Sequence, residues 1–445
     1  MNDLDAIFKA YDIRGRTDTG ELTESVARAV GAAFARFVDA GSIAIGRDCR
    51  SSSVALAEAF ADGIRSQGAD VIDIGEVATD MVYYVSGAYD VPGAMITASH
   101  NPSNYNGIKL CRSGARPIGS DSGLEDIKRM TAEGLPPVEV RGSLSSLDAD
   151  PGYIAHLFSI VDPSDISDLT VAVDGGNGMA GVVLPEIFEQ LDAELIGLYI
   201  EPDGTFPNHP ANPIEPENLV DLVNLVIDHH PDLGVAFDGD ADRAFFIDDQ
   251  GVPLSGSTTT SLIARWFLAR TPGATIVHNL ITSRAVPETI EAAGGTAIRT
   301  RVGHSYIKQV MAETGAVFGG EHSGHYYFEA NYRADSGMLA MLVLLQVLSE
   351  AGVPLSELRR SVEPYAQSGE VNFTVTDQAG AIERVAAAFG DAEHDLLDGL
   401  TVSWDDRWFN VRASNTEPLL RVNIEASDQA AVDALLDEIK AIVGV

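Results

Sequence analysis

Three aspartates alternate with small residues in LGVAFDGDADR: Asp238, Asp240 and Asp242. Carboxylates two residues apart on an extended chain point the same way. Three hard oxygen donors converging after an apolar run suit Mg2+, and Gly239 and Ala241 leave room for a cation and a phosphate. The plainer reading is a solvated acidic loop; the buried strand expected before it favours the metal. A calcium EF-hand is excluded, because its sixth position holds Arg243 and its twelfth Asp249, where glycine and glutamate are required. A second reactive stretch, TASHNPSNYNGIKL, sets Ser99, His100 and Lys109 among turn-forming residues after an apolar run. A serine nucleophile normally needs a base. On an extended chain His100 points away from Ser99, so this stretch alone leaves the serine without one.

Other segments carry weaker signals. GEHSGHYYF alternates Glu321, Ser323 and His325 after a strand, and a carboxylate with a hydroxyl would grip sugar hydroxyls. RASNTEPLLRV holds Arg412, Ser414, Asn415 and Thr416, a phosphate cradle or an ordinary turn. FKAYDIRG adds Lys9, Tyr11 and Arg14; the arginine faces a phosphate or merely pairs with an acid. His304 in VGHSYIK is an acid–base group or a helix cap. GGNGMAG spells G-x-G-x-x-G through Gly176, Gly178 and Gly181, with Glu201 further on, the outline of a dinucleotide fingerprint. Glycines that let a strand and helix pack closely are the preferred reading.

These groups must be positioned by a chain of 445 residues, too long for one ordinary core. Strands and helices alternate: SIAIGRDCR into the serine-capped helix SSSVALAEAFADGIRSQG, TVAVDGGNG into AGVVLPEIFEQLD, TIVHNL into SRAVPETIEAAGG. This layout predicts α/β layers with parallel or mixed sheets. The last 80 or so residues turn to a small α+β style with antiparallel character. Proline and glycine clusters divide the chain into 1–150, 151–250, 251–365 and 366–445. Met338 to Leu348 is apolar but well short of the roughly 20 residues of a membrane span, so it reads as a buried core helix. No signal peptide is indicated, and two cysteines, Cys49 and Cys111, fit a reducing cytoplasm.

The charge is extreme: 66 acids against 29 bases, net −37, with lysine only at 9, 109, 128, 308 and 440. Such a surface repels nucleic acid and anionic membranes. It fits a high-salt cytoplasm, as in a halophilic archaeon, where self-repulsion is screened.

In this order, YDIRG, TASHNP, DGDADR, GEHSGH and RASNTEP resemble the α-D-phosphohexomutase family, in its phosphomannomutase/phosphoglucomutase branch, over nearly the whole chain. The resemblance implies three similar mixed α/β domains and a small C-terminal α+β domain around a central cleft, each giving one loop. It implies that Ser99 carries a phosphoryl group, which touches a Mg2+ held by Asp238, Asp240 and Asp242. Arg14, His100, Lys109 and Arg243 match positions around the phosphoserine. His304 and His325 match active-site histidines, and Tyr11 matches a substrate-side position. Glu321 and Ser323 would read sugar hydroxyls, and Arg412, Ser414, Asn415 and Thr416 would hold the phosphate not being transferred. The reaction implied is reversible phosphoryl transfer between C1 and C6 of mannose or glucose phosphate through a hexose 1,6-bisphosphate. The oligomeric state, monomer or dimer, is left open. The chain departs from the family at His322, where bacterial bifunctional mutases often have methionine. It also lacks their early third-domain lysine in VHNLITSRAV, for which Arg284 is the substitute at hand. A glucosamine-phosphate mutase and a sugar phosphatase are the rival readings; the RASNTEP cradle counts against hydrolysis, which needs no second phosphate seat.

The acidic shell makes a direct prediction. Melting temperature rises from tens of millimolar to molar KCl, and a flat response would refute the high-salt reading.

Overall fold

The computed structural model describes residues 4–413 and 419–444. Four sheets follow one another along the chain. In the first, Ile13–Arg16, Tyr105–Arg112, Gly93–Ile96, Ser42–Arg47, Asp70–Glu76 and Leu144–Ser146 lie side by side, with Arg116–Pro117 on Tyr105–Arg112. The second has the order Ala244–Asp248, Leu233–Phe237, Ser167–Asp174, Asp192–Leu198. The third runs Thr296–Thr300, Thr275–Asn279, Phe318–Gly320, Tyr326–Phe328, Ala334–Asp335. The fourth is antiparallel throughout: Ala366–Thr374, Leu419–Ala426, Arg407–Ala413, Leu400–Ser403, Glu393–Asp395. Three mixed α/β units and a small α+β unit are thus present.

One device recurs. In the first three sheets the chain lays down parallel strands, then turns straight back antiparallel: Gly93–Ile96 into Tyr105–Arg112, Leu233–Phe237 into Ala244–Asp248, and Phe318–Gly320 into Tyr326–Phe328. The fourth sheet pairs Arg407–Ala413 with Leu419–Ala426 in the same way. The connections at these four places are the four chemically rich segments. The first three sit at the carboxyl ends of parallel strands, where open α/β sheets hold ligands.

The first three units share one continuous core. It joins Met95 of the first sheet, Val171 and Phe237 of the second and Phe318 of the third to the helix Gly337–Ala351. That helix is apolar on nearly every side and is buried, as its sequence predicts. Its N-terminus is capped by Ser336, which accepts from the N–H of Leu339 at 3.1 Å. Each fully buried leucine or phenylalanine there contributes about 2 kcal/mol of transfer free energy. The fourth sheet has its own core around Phe373, Phe409, Val422 and Ile439. Among the described residues, no helix is long and apolar enough to cross a membrane.

One local reading changes and one holds. The helix Ser53–Ser66 begins after Ser52, but the Ser52 hydroxyl does not cap it. Ser52 Oγ and Ser53 Oγ instead accept from Asn106 Nδ2 at 2.8 and 2.9 Å, across to the strand Tyr105–Arg112 that follows the Ser99 loop. The glycines of GGNGMAG serve close packing, Gly178 against the aspartate loop and Gly181 against the chain just past the strand Asp192–Leu198. A Cβ on Gly178 would lie 2.7 Å from Gly239 O, and one on Gly181 1.7 Å from Ile200 O.

The shared core contains one costly acid. Asp80 is fully buried and accepts from the hydroxyls of Tyr153 and Ser336, so it joins three units at one carboxylate. Burial pushes it up to about 7. The folded chain therefore holds a proton there that the unfolded chain releases near pH 4. Its contribution to stability falls as pH rises from about 4 to 7 and stays lost above. Asp80→Asn is expected to melt higher than the parent at pH 8 and no higher at pH 4, in thermal melts at fixed salt.

Candidate active site

The loop after Gly93–Ile96 places Ser99 in the left-handed region, with φ 50°. Non-glycine residues rarely adopt it, and its cost of about 1–3 kcal/mol persists only where the surroundings enforce it. The twist corrects the extended-chain expectation for His100. The two side chains turn to the same side, and His100 Nδ1 lies 3.2 Å from Ser99 Oγ. Burial, with Arg243 and Arg14 nearby, holds the imidazole well below its usual range, hence neutral. Ser99 Oγ donates to Asp238 Oδ2 at 2.7 Å and accepts from Arg243 Nη2 at 3.5 Å.

The three aspartates converge, but not by extended alternation. Residues 238–243 form a turn closed by the N–H of Ala241 on Asp238 O at 3.1 Å, with Ala241 itself left-handed at φ 61°. All three carboxylates are buried, with donor oxygens within 4.8 Å of one another. Arg243 Nε donates to Asp238 at 2.9 Å. Lys109 Nζ bridges Asp240 at 2.7 Å and Asp242 at 2.5 Å, and Thr79 Oγ1 donates to Asp240 at 2.6 Å. Two cations against three carboxylates leave one negative charge over. Burial, together with Asp242 and Asp240, pushes Asp238 up to about 7 against the pull of Arg243. Asp240 is equally buried, yet Lys109 outweighs that and holds it below the usual range. Asp240 Oδ1 and Asp242 Oδ1 take no hydrogen bond among the described residues. Buried, clustered oxygens with spare lone pairs and excess negative charge fit a small divalent cation.

Around this centre lies a cleft of about 670 Å3, lined by Lys9, Tyr11, Arg14, Lys109, Arg243, His325 and Arg421 among others. Arg14 donates to Asn101 Oδ1 and to Asp12, both at 2.5 Å, which ties it to the Ser99 loop. Tyr11 reaches Val302 O at 3.5 Å and packs edge-on against Tyr306, and burial pushes its hydroxyl up to about 12. The helix His304–Thr314 starts beside it; the His304 side chain lies outside the described residues.

GEHSGH is also a turn rather than a run of alternating faces, with Glu321 N–H on His325 O at 3.0 Å. The buried Glu321 accepts from Tyr327 at 2.7 Å, the N–H of Gly303 at 3.1 Å and Asn279 at 3.3 Å. Ser323 sits half-buried in the turn. His325 Nδ1 meets Asp335 at 3.0 Å and lies 3.9 Å from Asp242. Burial lowers its basicity, but Asp242 and Asp335 win and raise it.

Arg412 is buried in the fourth sheet, directly opposite Arg421 on the neighbouring strand. Like charges facing each other destabilise a sheet. The carboxylate of Glu370 bridges this pair, bonding Arg412 and lying 3.3 Å from Arg421. Sequence reasoning missed Arg421; the hairpin register that puts it opposite Arg412 is the signal that finds it. Ser414, Asn415 and Thr416 lie outside the described residues. Arg284 does not take the place of a cleft lysine. Its guanidinium donates to Asp405 O at 2.7 Å, Trp404 O at 3.1 Å and Arg407 O at 3.3 Å, bracing the third unit against the fourth.

Models of the phosphoglucomutase/phosphomannomutase family match in sequence: alpha/beta/alpha domain I over 5–135, domain II over 151–251, domain III over 255–365 and the C-terminal domain over 370–442. The chain belongs to this family. A protein named phosphohexose mutases from Xanthomonas campestris pv. campestris is 41% identical over 430 residues, covering 96% of each chain. A phosphomannomutase from Salmonella montevideo is 40% identical over 438 residues, again with 96% of each covered. A crystal structure of a phosphoglucomutase/phosphomannomutase family protein from Burkholderia thailandensis superposes with a TM-score of 0.89 at 31% identity, covering 98% of this chain and 97% of that one.

The unpaired aspartate oxygens predict a measurable linkage. At constant KCl, Mg2+ raises the melting temperature, by about 2.7 kcal/mol of stability at a hundred times its Kd. Asp242→Asn removes most of that shift. Equal shifts in parent and variant would place the cation elsewhere.

Proposed function

We propose that this chain moves a phosphoryl group reversibly between C1 and C6 of a hexose phosphate, mannose or glucose, with Ser99 as the phosphoryl carrier. The observation that carries the reading is the contact between Ser99 and Asp238, 139 residues apart in sequence, which sets the hydroxyl of a strained residue against a cluster of three buried carboxylates. A bare hydroxyl there has no strong base. Phospho-Ser99 needs none, because it arrives as a phosphoryl donor.

Phosphoryl transfer asks for positioning and charge neutralisation. Asp238, Asp240 and Asp242 would hold Mg2+, which when bound neutralises charge at the phosphoserine. Lys109, Arg243 and Arg14 spread further positive charge around the same oxygens, and neutral His100 packs beside them. The 6-hydroxyl of a hexose 1-phosphate attacks phosphorus, the bond to Ser99 Oγ breaks, and the hydroxyl proton passes to a cleft histidine, His304 or His325. The hexose 1,6-bisphosphate turns over and returns its C1 phosphoryl group to Ser99, leaving hexose 6-phosphate. Arg412, with Arg421 and the loop of Ser414, Asn415 and Thr416, seats whichever phosphate is not reacting. Glu321 and Ser323 read the sugar hydroxyls near Tyr11. The loops come from units 1–150, 151–250, 251–365 and 366–445. We place the enzyme in the cytoplasm at high salt.

Mass spectrometry tests the core of this reading. The purified chain is expected to gain one phosphoryl mass on Ser99 after incubation with a hexose 1,6-bisphosphate. Ser99→Ala loses both that mass and at least about a thousandfold of mutase activity, as expected for removing a covalent intermediate. Full activity in the variant would overturn it.

A further inference from the structure

Ser99 is held in a rare backbone conformation at the tip of a hairpin, where carbonyls have no sheet partner. One side chain meets that need. Arg50, at the carboxyl end of Ser42–Arg47, is buried completely at its guanidinium. Its Nη2 donates to Ser99 O and Asn101 O, each at 2.7 Å. Its Nη1 donates to Pro102 O at 2.7 Å and Tyr105 O at 3.2 Å. Its Nε donates to Asp48 Oδ2 at 3.0 Å. All five N–H groups are engaged, and four of the five acceptors are carbonyls of the loop from Ser99 to Tyr105. A guanidinium is a rigid planar fork, so these bonds prescribe direction as well as distance.

Arg50 is itself over-determined. Its own N–H donates to Asp48 Oδ1 at 3.1 Å, and the N–H of Asp48 donates to Ile96 O at 3.0 Å, just before the reactive loop. Ser53 Oγ donates to the same carboxylate. On the other side the guanidinium lies 4.9 Å from the ring centroid of Phe206, in the second unit. A Cβ on Gly239 of the aspartate loop would fall 2.5 Å from Ser99 O, the carbonyl that Arg50 grips. The arginine therefore stands where the serine loop, the aspartate loop and the second unit meet.

We propose that Arg50 is a positioning residue for the reaction: its guanidinium locks the backbone of Ser99 in the left-handed turn that presents Oγ to Asp238. It touches no reacting atom, since its contact is with the carbonyl of Ser99 and its charge is matched by Asp48. What it supplies is the five-donor geometry. This rests on the reading of Ser99 as phosphoryl carrier.

Arg50→Lys and Arg50→Gln in the full chain at high salt test it. A misplacement of about 1 Å at a reacting atom costs about a hundredfold. Both variants are expected to lose about a hundredfold or more in kcat, while KM for hexose 1-phosphate stays within about threefold, because the phosphate seat belongs to the fourth unit. Phosphorylation of Ser99 by a hexose 1,6-bisphosphate, followed by mass spectrometry, slows in parallel. Arg50→Lys keeps the charge and loses the fork, so a lysine variant within about fivefold of the parent kcat overturns the proposal. So does an activity loss in proportion to the unfolded fraction seen by circular dichroism. Asp48→Asn leaves the arginine in place and loosens it; a smaller loss confined to kcat is expected, and a loss confined to KM counts against the proposal. If the parent chain never acquires a phosphoryl group on Ser99, it is the reading of Ser99 that fails. If the parent does and the variants match it, Arg50 alone is refuted.

Discussion

Buried side by side, Asp238, Asp240 and Asp242 repel one another, and low polarity magnifies that repulsion. Little else in the molecule is free to vary once they are in place. Lys109 must come from the first sheet and Arg243 from the aspartate loop itself, while Thr79 reaches over from the helix Thr79–Ala88. The loop that carries them is packed against Ser99 through Gly239 and against the N-terminus of Gly337–Ala351, where a Cβ on Gly337 would lie 2.8 Å from Ala241 O. Three units have to meet at that point, and the continuous core behind it is what lets them do so. Seen this way, the shared core of the first three units and the separate core of the fourth are two answers to different demands. One must hold a cluster of three carboxylates and two cations in place; the other holds the facing pair Arg412 and Arg421 on Glu370.

The cluster also explains how so acidic a chain handles anions. A net charge of −37 would repel a sugar phosphate at long range. The scarce cations are therefore deployed in depth. Lys9, Arg14, Lys109, Arg243 and Arg421 all line one cleft. Several are held by acids that fix their direction: Asp12 for Arg14, Asp238 for Arg243, Glu370 for Arg412 and Arg421. High salt screens the distant repulsion and leaves these short contacts nearly intact.

Much of this was readable from residue types alone. The strand–helix alternation, the antiparallel fourth unit, the buried apolar helix and the aspartate trio all announce themselves through periodicity and spacing. What escaped did so for two physical reasons. Ser99 and Ala241 take left-handed backbones without being glycine, and nothing in their identity signals it. Extended geometry then misplaces every neighbour: His100 turns toward Ser99 instead of away, and the aspartates meet by a turn instead of by alternation. The other reason is distance. Arg50, Arg421, Asp80 and Arg284 owe their surroundings to residues far along the chain, and their local sequence looks like ordinary turn, strand or helix. GRDCR reads as the end of a strand until the carbonyls of Ser99 to Tyr105 are seen around it.

The loops of Ser99, Asp238 and Glu321 are each the tip of a hairpin whose two legs are locked in register, as at Phe237 opposite Ala244 or Gly320 opposite Tyr326. A tip of fixed length can exchange side chains without shifting the legs, because turn geometry and the buried side chains below it set the pairing. The scaffold is in that sense modular. Exchange of residues 321–324 would leave the pairing of Phe318–Gly320 with Tyr326–Phe328 in place, while His325 stays tied to the aspartate centre, 3.9 Å from Asp242. A lineage could vary the side chains of such tips one at a time while the paired legs hold the scaffold in register.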